Sequence, residues 1–153
     1  MDPADFRHEK PPRLGVLVAN LGSPDAPTPR ALRRYLAQFL WDRRIVDVPR
    51  PLWWLILHGI ILRTRPRRSA ALYRKVWRPD GAPLKVIAGR QRNLLQAELE
   101  KTLPGEVAVA LGMRYGSPSI ADALEELRRA NAQRVLVVPL FPQYSASTTA
   151  SAF

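Results

Sequence analysis

The stretch PLFPQYSASTT, residues 139–149, places Gln143, Tyr144, Ser145, Ser147, Thr148 and Thr149 directly after an apolar run. Small hydroxyls let a ligand come close while offering donors and acceptors, and a tyrosine adds a flat face. The same residues also suit a polar turn leading into a helix, capped by a serine or threonine. In GMRYG, residues 112–116, Arg114 and Tyr115 end a second apolar run. Arg114 either pairs with a carboxylate on a neighbouring helix or meets an anionic ligand group, and Tyr115 adds a ring or a hydroxyl. The third such place is NLGSPD, residues 20–25, which lacks the G-x-G-x-x-G pattern of a dinucleotide loop. Gly22 either makes a tight strand-to-helix turn or forms, with Leu21, a wall where a flat ligand approaches backbone. The two histidines, His8 and His58, have no further histidine, cysteine or carboxylate cluster at ligand spacing. No metal site made wholly within this chain is expected. His58 reads as an interfacial or packed side chain.

All three places end short apolar runs: LGVLVANLG (14–22), VAVALGMRYG (107–116) and RVLVVPLFP (134–142). Runs without polar alternation suit strands buried on both faces. Helical patterns lie between them. Thr28 and Pro29 open one in RALRRYLAQFLW, where Leu32, Tyr35, Leu36, Phe39 and Leu40 share a face. LKVIAGRQRNLLQAELEKTL reads as a second, ending before Pro104 and Gly105, and Ser117-Pro118-Ser119 starts a third in IADALEELRRAN. The expected fold class is α/β, a doubly wound parallel sheet with helices on both faces. Such sheets bind ligands at the carboxyl ends of their strands, where the three polar clusters fall.

The chain has 153 residues, enough for one cored domain, and an ordinary apolar fraction of 46%. It lacks cysteine, which excludes disulfides and any iron–sulfur cluster held here through thiolates. Residues 1–12 read as a disordered lead-in rather than a signal or transit peptide. The formal charge of +11 calls for anionic company. Residues 52–62 are almost wholly apolar, and Arg63, Arg65, Arg67, Arg68, Arg74, Lys75 and Arg78 follow. That run is far short of the roughly 20 residues that span a bilayer. Tryptophans followed by a basic cluster suit a membrane interface better than nucleic acid, which would want basic residues spread along a face with exposed aromatics.

Four segments, in this order and spacing, carry a resemblance: VLVANLGSPDAPTPRALRRYLAQFLWDRRIVDVP, GIILRTRPRRSAALYRKVW, LGMRYGSPSIADALEEL and VVPLFPQYSASTT. Together they resemble the N-terminal half of the ferrochelatase family, of the bacterial protoporphyrin type, over residues 14–153. The resemblance implies an enzyme, a lyase that inserts ferrous iron into protoporphyrin IX in haem biosynthesis. It implies a two-domain protein with the porphyrin in the cleft between similar α/β domains. Residues 13–153 would be the first domain and one cleft wall, with the second domain absent. The wall would include Leu21, Phe39, Leu40, Arg114, Tyr115, Tyr144, Ser145 and Ser147. Residues 50–75 match the membrane-facing lip, with Trp53, Trp54, Leu57, Ile60, Ile61, Arg63 and Arg65. That implies a cytoplasmic protein held peripherally on anionic membrane, and an apolar lip favours protoporphyrin over coproporphyrin. The family's essential histidine and glutamate belong to the second domain, beyond Phe153. No catalytic residue, metal ligand or resident cofactor is therefore expected in this chain, iron being a substrate, and these 153 residues alone are expected to be inactive. A half cleft that only binds porphyrin or a membrane surface is the alternative. Two positions depart from the family: Ala82 stands where serine is common, losing a hydroxyl contact, and Ala150 where glycine is usual. Alanine tolerates positive φ poorly, so the turn at Ala150 is expected to be altered.

Overall fold

The run LGVLVANLG lies in the central strand β1 (Arg13–Ser23), whose residues 15–19 are all buried. The computed structural model describes residues 13–151; the expected lead-in, with His8, lies outside the described residues. Strands β2 (Val107–Gly116) and β3 (Ala132–Pro139) flank β1 in the order β2–β1–β3, both parallel to it. Val16 is level with Val109 on one side and Leu136 on the other. Helices α1 (Pro29–Trp41), α2 (Arg50–Ile56), α3 (Leu62–Val76) and α4 (Pro83–Thr102) separate β1 from β2, and α5 (Ile120–Arg129) separates β2 from β3. The chain thus leaves β1 to one side and returns past it to the other. That reversal makes the sheet doubly wound, and in such sheets ligands bind at the carboxyl ends of the strands.

Alternation along β1 divides the core. Val16 and Val18 join Val107, Val109 and Met113 beneath Ala88 of α4, with Leu95 and Leu99 packed against them. Leu17 goes the other way, to Ala110 and to Ala123 and Leu127 of α5. The helices therefore cover both faces, as the sequence predicts.

Local signals set the helix starts. The Thr28 hydroxyl accepts from the Ala31 amide at 3.3 Å, with Pro29 in the first helical position. Ser119 and Asp122 form a reciprocal capping box on α5, and the Ser119 amide and hydroxyl hold the Asp122 carboxyl below its ordinary value. Ala82 sits at the N-cap of α4 and has no side chain to accept there, which locates the lost hydroxyl.

One strand differs from expectation. β3 was expected to be buried on both faces, yet Val135 is 41% and Leu136 54% exposed. Its inner edge pairs with β1 while its other edge has no strand beside it among the described residues. Its apolar character is real, but the cover that burial requires is not supplied by these residues.

Between α2 and α3 the helix widens into a π segment, Leu57–Ile61. In a regular helix, residues five apart point about 140° away from each other. The wider turn brings Leu57 and Leu62 to one side, where they are 0% and 3% exposed and pack with Leu40 and Trp53. No described helix is long and apolar enough to cross a membrane.

Candidate functional site

The carboxyl end of β2 is tied to the end of α1 by a carboxylate. Asp42, the C-cap of α1, accepts from the Arg44 amide at 2.8 Å through one oxygen. Its other oxygen accepts from the Arg114 guanidinium at 2.6 Å, the Tyr115 hydroxyl at 2.9 Å and the Ser151 hydroxyl at 3.2 Å. The Arg114 Nε donates to Ser151 Oγ at 2.7 Å, so Ser151 closes the network from the far end of the chain. Burial by itself would raise the Asp42 carboxyl. The Arg44 amide, the two hydroxyls and the Arg114 charge outweigh it and hold the group below its ordinary value. Burial pushes the Tyr115 phenol up, and the neighbouring Asp42 charge adds to this. Tyr115 therefore stays protonated and donates.

Aromatic rings continue the network. Phe39 meets Tyr115 edge-on, with ring centres 5.2 Å apart, and stacks on Tyr35 at 6.1 Å. The Arg114 guanidinium lies 5.0 Å from the Tyr115 ring centre. Gln38 accepts from the Gly116 amide at 3.0 Å, a further tie between α1 and β2. Arg114 thus takes the carboxylate-pairing alternative, although a third of its side chain remains exposed.

Gly22 is decided by packing. It pairs with Tyr115 and has φ +100°, and a Cβ there would overlap the Tyr115 carbonyl oxygen. The close approach it permits is to β2, and Gly22 lies within β1 in place of the tight turn that was the other reading. Leu21 beside it is half-buried, its amide donating to Asn20 Oδ1.

At the end of β3, Tyr144 is 77% exposed. Ser145 Oγ lies 2.6 Å from Thr148 Oγ1 and 3.3 Å from Ser147 Oγ, and the Ser145 carbonyl accepts from the amides of Thr148 and Ala150. This is a polar turn running into a short 3₁₀ helix, Thr149–Ser151. Among the described non-glycine residues Asn131 has the positive φ, and Ala150 does not. Ala150 thus carries no left-handed backbone strain.

The structure brings Phe39, Arg114 and Tyr115 into one network and sets Ser145 and Ser147 in another. It does not bring Leu40 to a cleft surface. Leu40 is 8% exposed, beneath α2, and its carbonyl accepts from Trp53 Nε1 at 2.8 Å. Trp53 at 8% and Leu57 at 0% are likewise inside, which corrects the expectation that they face a membrane. Ile61 is half-buried against the same cluster. Trp54 at 52% and Ile60 at 60% do point outward, and Arg63 and Arg65 are exposed. His58 lies 5.2 Å from the Trp54 ring, a packed position beside the outward face. No group of three metal-ligating side chains occurs among the described residues.

Sequence reasoning missed Asp42, Ser151 and Gln38. Asp42 had one signal. An acid at the carboxyl end of a helix opposes the dipole, so something else must hold it there. Ser151 had none.

A parallel α/β sheet with polar side chains gathered at its carboxyl edge defines a broad class of ligand-binding domains. The comparisons narrow the class. The ferrochelatase family model matches residues 13–153. A ferrochelatase of Thioalkalivibrio sulfidiphilus is 60% identical over 98% of this chain and 41% of its own length. Those of Nitrosococcus oceani and Marinobacter nauticus are 59% and 55% identical over 98% and 97% of this chain, each matched across 40% of its own length. The chain belongs to the ferrochelatase family. It spans about two fifths of the length of these relatives.

Proposed function

We propose that this chain supplies one wall of the porphyrin cleft in an enzyme that inserts ferrous iron into protoporphyrin IX during haem biosynthesis. The observation that carries the reading is the ferrochelatase-family match over residues 13–153, which includes every strand end in the sheet. Metallation releases two pyrrole protons and needs the flat macrocycle bent so that its nitrogen lone pairs open to the metal. Bending requires walls that do not yield, which amounts to binding the distorted state better than the flat one. The Asp42 network supports that task. It fixes Arg114, Tyr115 and Phe39 to two elements at once, so a ring pressed against them meets held side chains. Arg114 keeps enough exposure to face a propionate, and Tyr144, Ser145 and Ser147 offer a ring and hydroxyls at the next strand end.

The proton acceptor and metal ligands belong, on this reading, to a second domain beyond these residues. The outward face of residues 50–75, with Leu52, Trp54, Leu55 and Ile60 exposed, rests peripherally on the cytoplasmic side of an anionic membrane. The test is anaerobic turnover of ferrous iron with protoporphyrin or coproporphyrin, followed by loss of porphyrin fluorescence. The full-length protein is expected to turn over, faster with protoporphyrin, and residues 1–153 alone are not. Sustained turnover by residues 1–153 overturns the division of labour. No turnover by the full-length protein with either porphyrin overturns the enzyme reading. Porphyrin binding without turnover would then leave the non-catalytic half cleft.

A further inference from the structure

A groove of about 380 Å³ runs between α1 and α3, lined by Arg30, Arg33, Arg63 and Arg67 with Pro29, Leu62 and Pro66. Some arginines elsewhere find acids: Arg34 pairs with Asp25 at 3.4 Å, Arg92 with Glu126 at 3.5 Å, and Arg128 with Glu125 at 2.7 Å; Arg65 and Arg68 on α3 do not. The four groove arginines have no hydrogen-bonding or ion-pair partner among the described residues. Their placement also runs against the helix dipole. Pro29 and Arg30 are the first two residues of α1, whose first turn holds no acid, so positive side chains sit at a positive helix end. Four cations around one groove repel one another unless an anion joins them.

We propose that this groove binds a phosphate-ester group, the headgroup of an anionic phospholipid. Guanidinium groups match phosphate oxygens in bidentate pairs, and four of them suit a group with several acceptor oxygens. The volume exceeds that of a bare oxyanion and falls at the lower end of small-ligand sites. The floor is apolar, with Leu62 and Pro66 buried, which suits the carbon backbone attached to a headgroup. The exposed Ile60 precedes Arg63 by three residues on the continuous helical run, so apolar and basic surfaces adjoin. A free inorganic phosphate shares the chemistry and is the other source. The lipid source rests on the membrane-contact reading above; the phosphate chemistry does not.

The test uses the full-length protein with two probes: vesicles of phosphatidylcholine with or without phosphatidylglycerol, read by co-sedimentation, and inorganic phosphate, read by calorimetric titration. The paired variants are Arg30→Gln with Arg33→Gln in the groove, and Arg13→Gln with Arg134→Gln at the amino ends of β1 and β3, which removes the same charge away from residues 50–75. All four positions are exposed, so melting temperatures are expected to stay close to the parent's and confirm folding. The groove pair is expected to weaken binding to phosphatidylglycerol vesicles by about tenfold or more, and the control pair by far less. Equal losses in the two pairs, or no loss in the groove pair, overturn the proposal. If the parent ignores all vesicles yet binds inorganic phosphate in a groove-dependent way, the membrane reading fails and the phosphate site stands with a soluble ligand. If it binds phosphatidylglycerol vesicles and the groove pair binds them equally well, the site fails and the membrane reading stands.

Discussion

Arg114 and the arginines of α3 are the same side chain put to opposite uses. Arg114 is held by Asp42 and Ser151, with its neighbours Tyr115 and Phe39 fixed around it. Arg63, Arg65, Arg67 and Arg68 stand exposed along α3 with no acid to receive them among the described residues. An arginine anchored from behind can present a surface in one geometry, whereas an unpartnered one keeps its charge free for something outside the fold. The chain thus spends its few interior acids where rigidity is needed and leaves the helix beyond the π segment strongly basic.

The contrast can be broken from either side. The largest effect is expected under the basic helix, whose position depends on packing instead of ion pairs. Leu57→Ala should cost about 3 kcal/mol in denaturant unfolding, through the cavity left among Leu40, Trp53 and Leu62. Asp42→Asn should cost about 2 kcal/mol by the same measurement. The partial exposure of Arg114 keeps that figure below the cost of stranding a fully buried cation. Tyr115→Phe removes one donor to Asp42 and should cost about 1 kcal/mol, with the edge-on contact to Phe39 retained.

Acidity sharpens the contrast. The Asp42 carboxyl lies below its unfolded value near ~3.9, so its contribution is complete above that pH and is lost as pH falls through the folded value. Stability measured on the acid side should therefore drop more steeply in the parent than in Asp42→Asn. The smallest effect belongs to Arg65→Gln with Arg68→Gln. With no partner to lose, unfolding free energy should move by less than about 0.5 kcal/mol. A larger change would show that these arginines support the fold after all.

Much of the fold could be read locally. β1 and β2 are unbroken apolar runs, and α1, α4 and α5 begin at Pro29, Pro83 and the Ser119–Asp122 box. The site was legible only in part. Arg114 and Tyr115 announced themselves at a strand end, but Asp42 lies 72 residues from Arg114, and no periodicity reports a partner at that distance. β3 misled because an apolar run shows a demand for cover without saying what supplies it. The apolar stretch at 52–62 misled for another reason. A 3.6-residue wheel puts Trp53 and Leu57 on one face, away from Leu55, but it does not bring Leu62 to them, which the π turn does.

That π turn gives the chain an angular adjustment. Removing Gly59, whose Cβ position faces open space, would let the segment relax to an ordinary helix. The deletion would then act as a shortening more than a rotation, because Leu57 and Leu62 would stand four apart and stay on one side. Straightening the π turn with Gly59 kept would instead swing every arginine from Arg63 onward by about 100° against α1. The direction in which this protein displays its positive charge is thus written in the count of residues between two buried leucines.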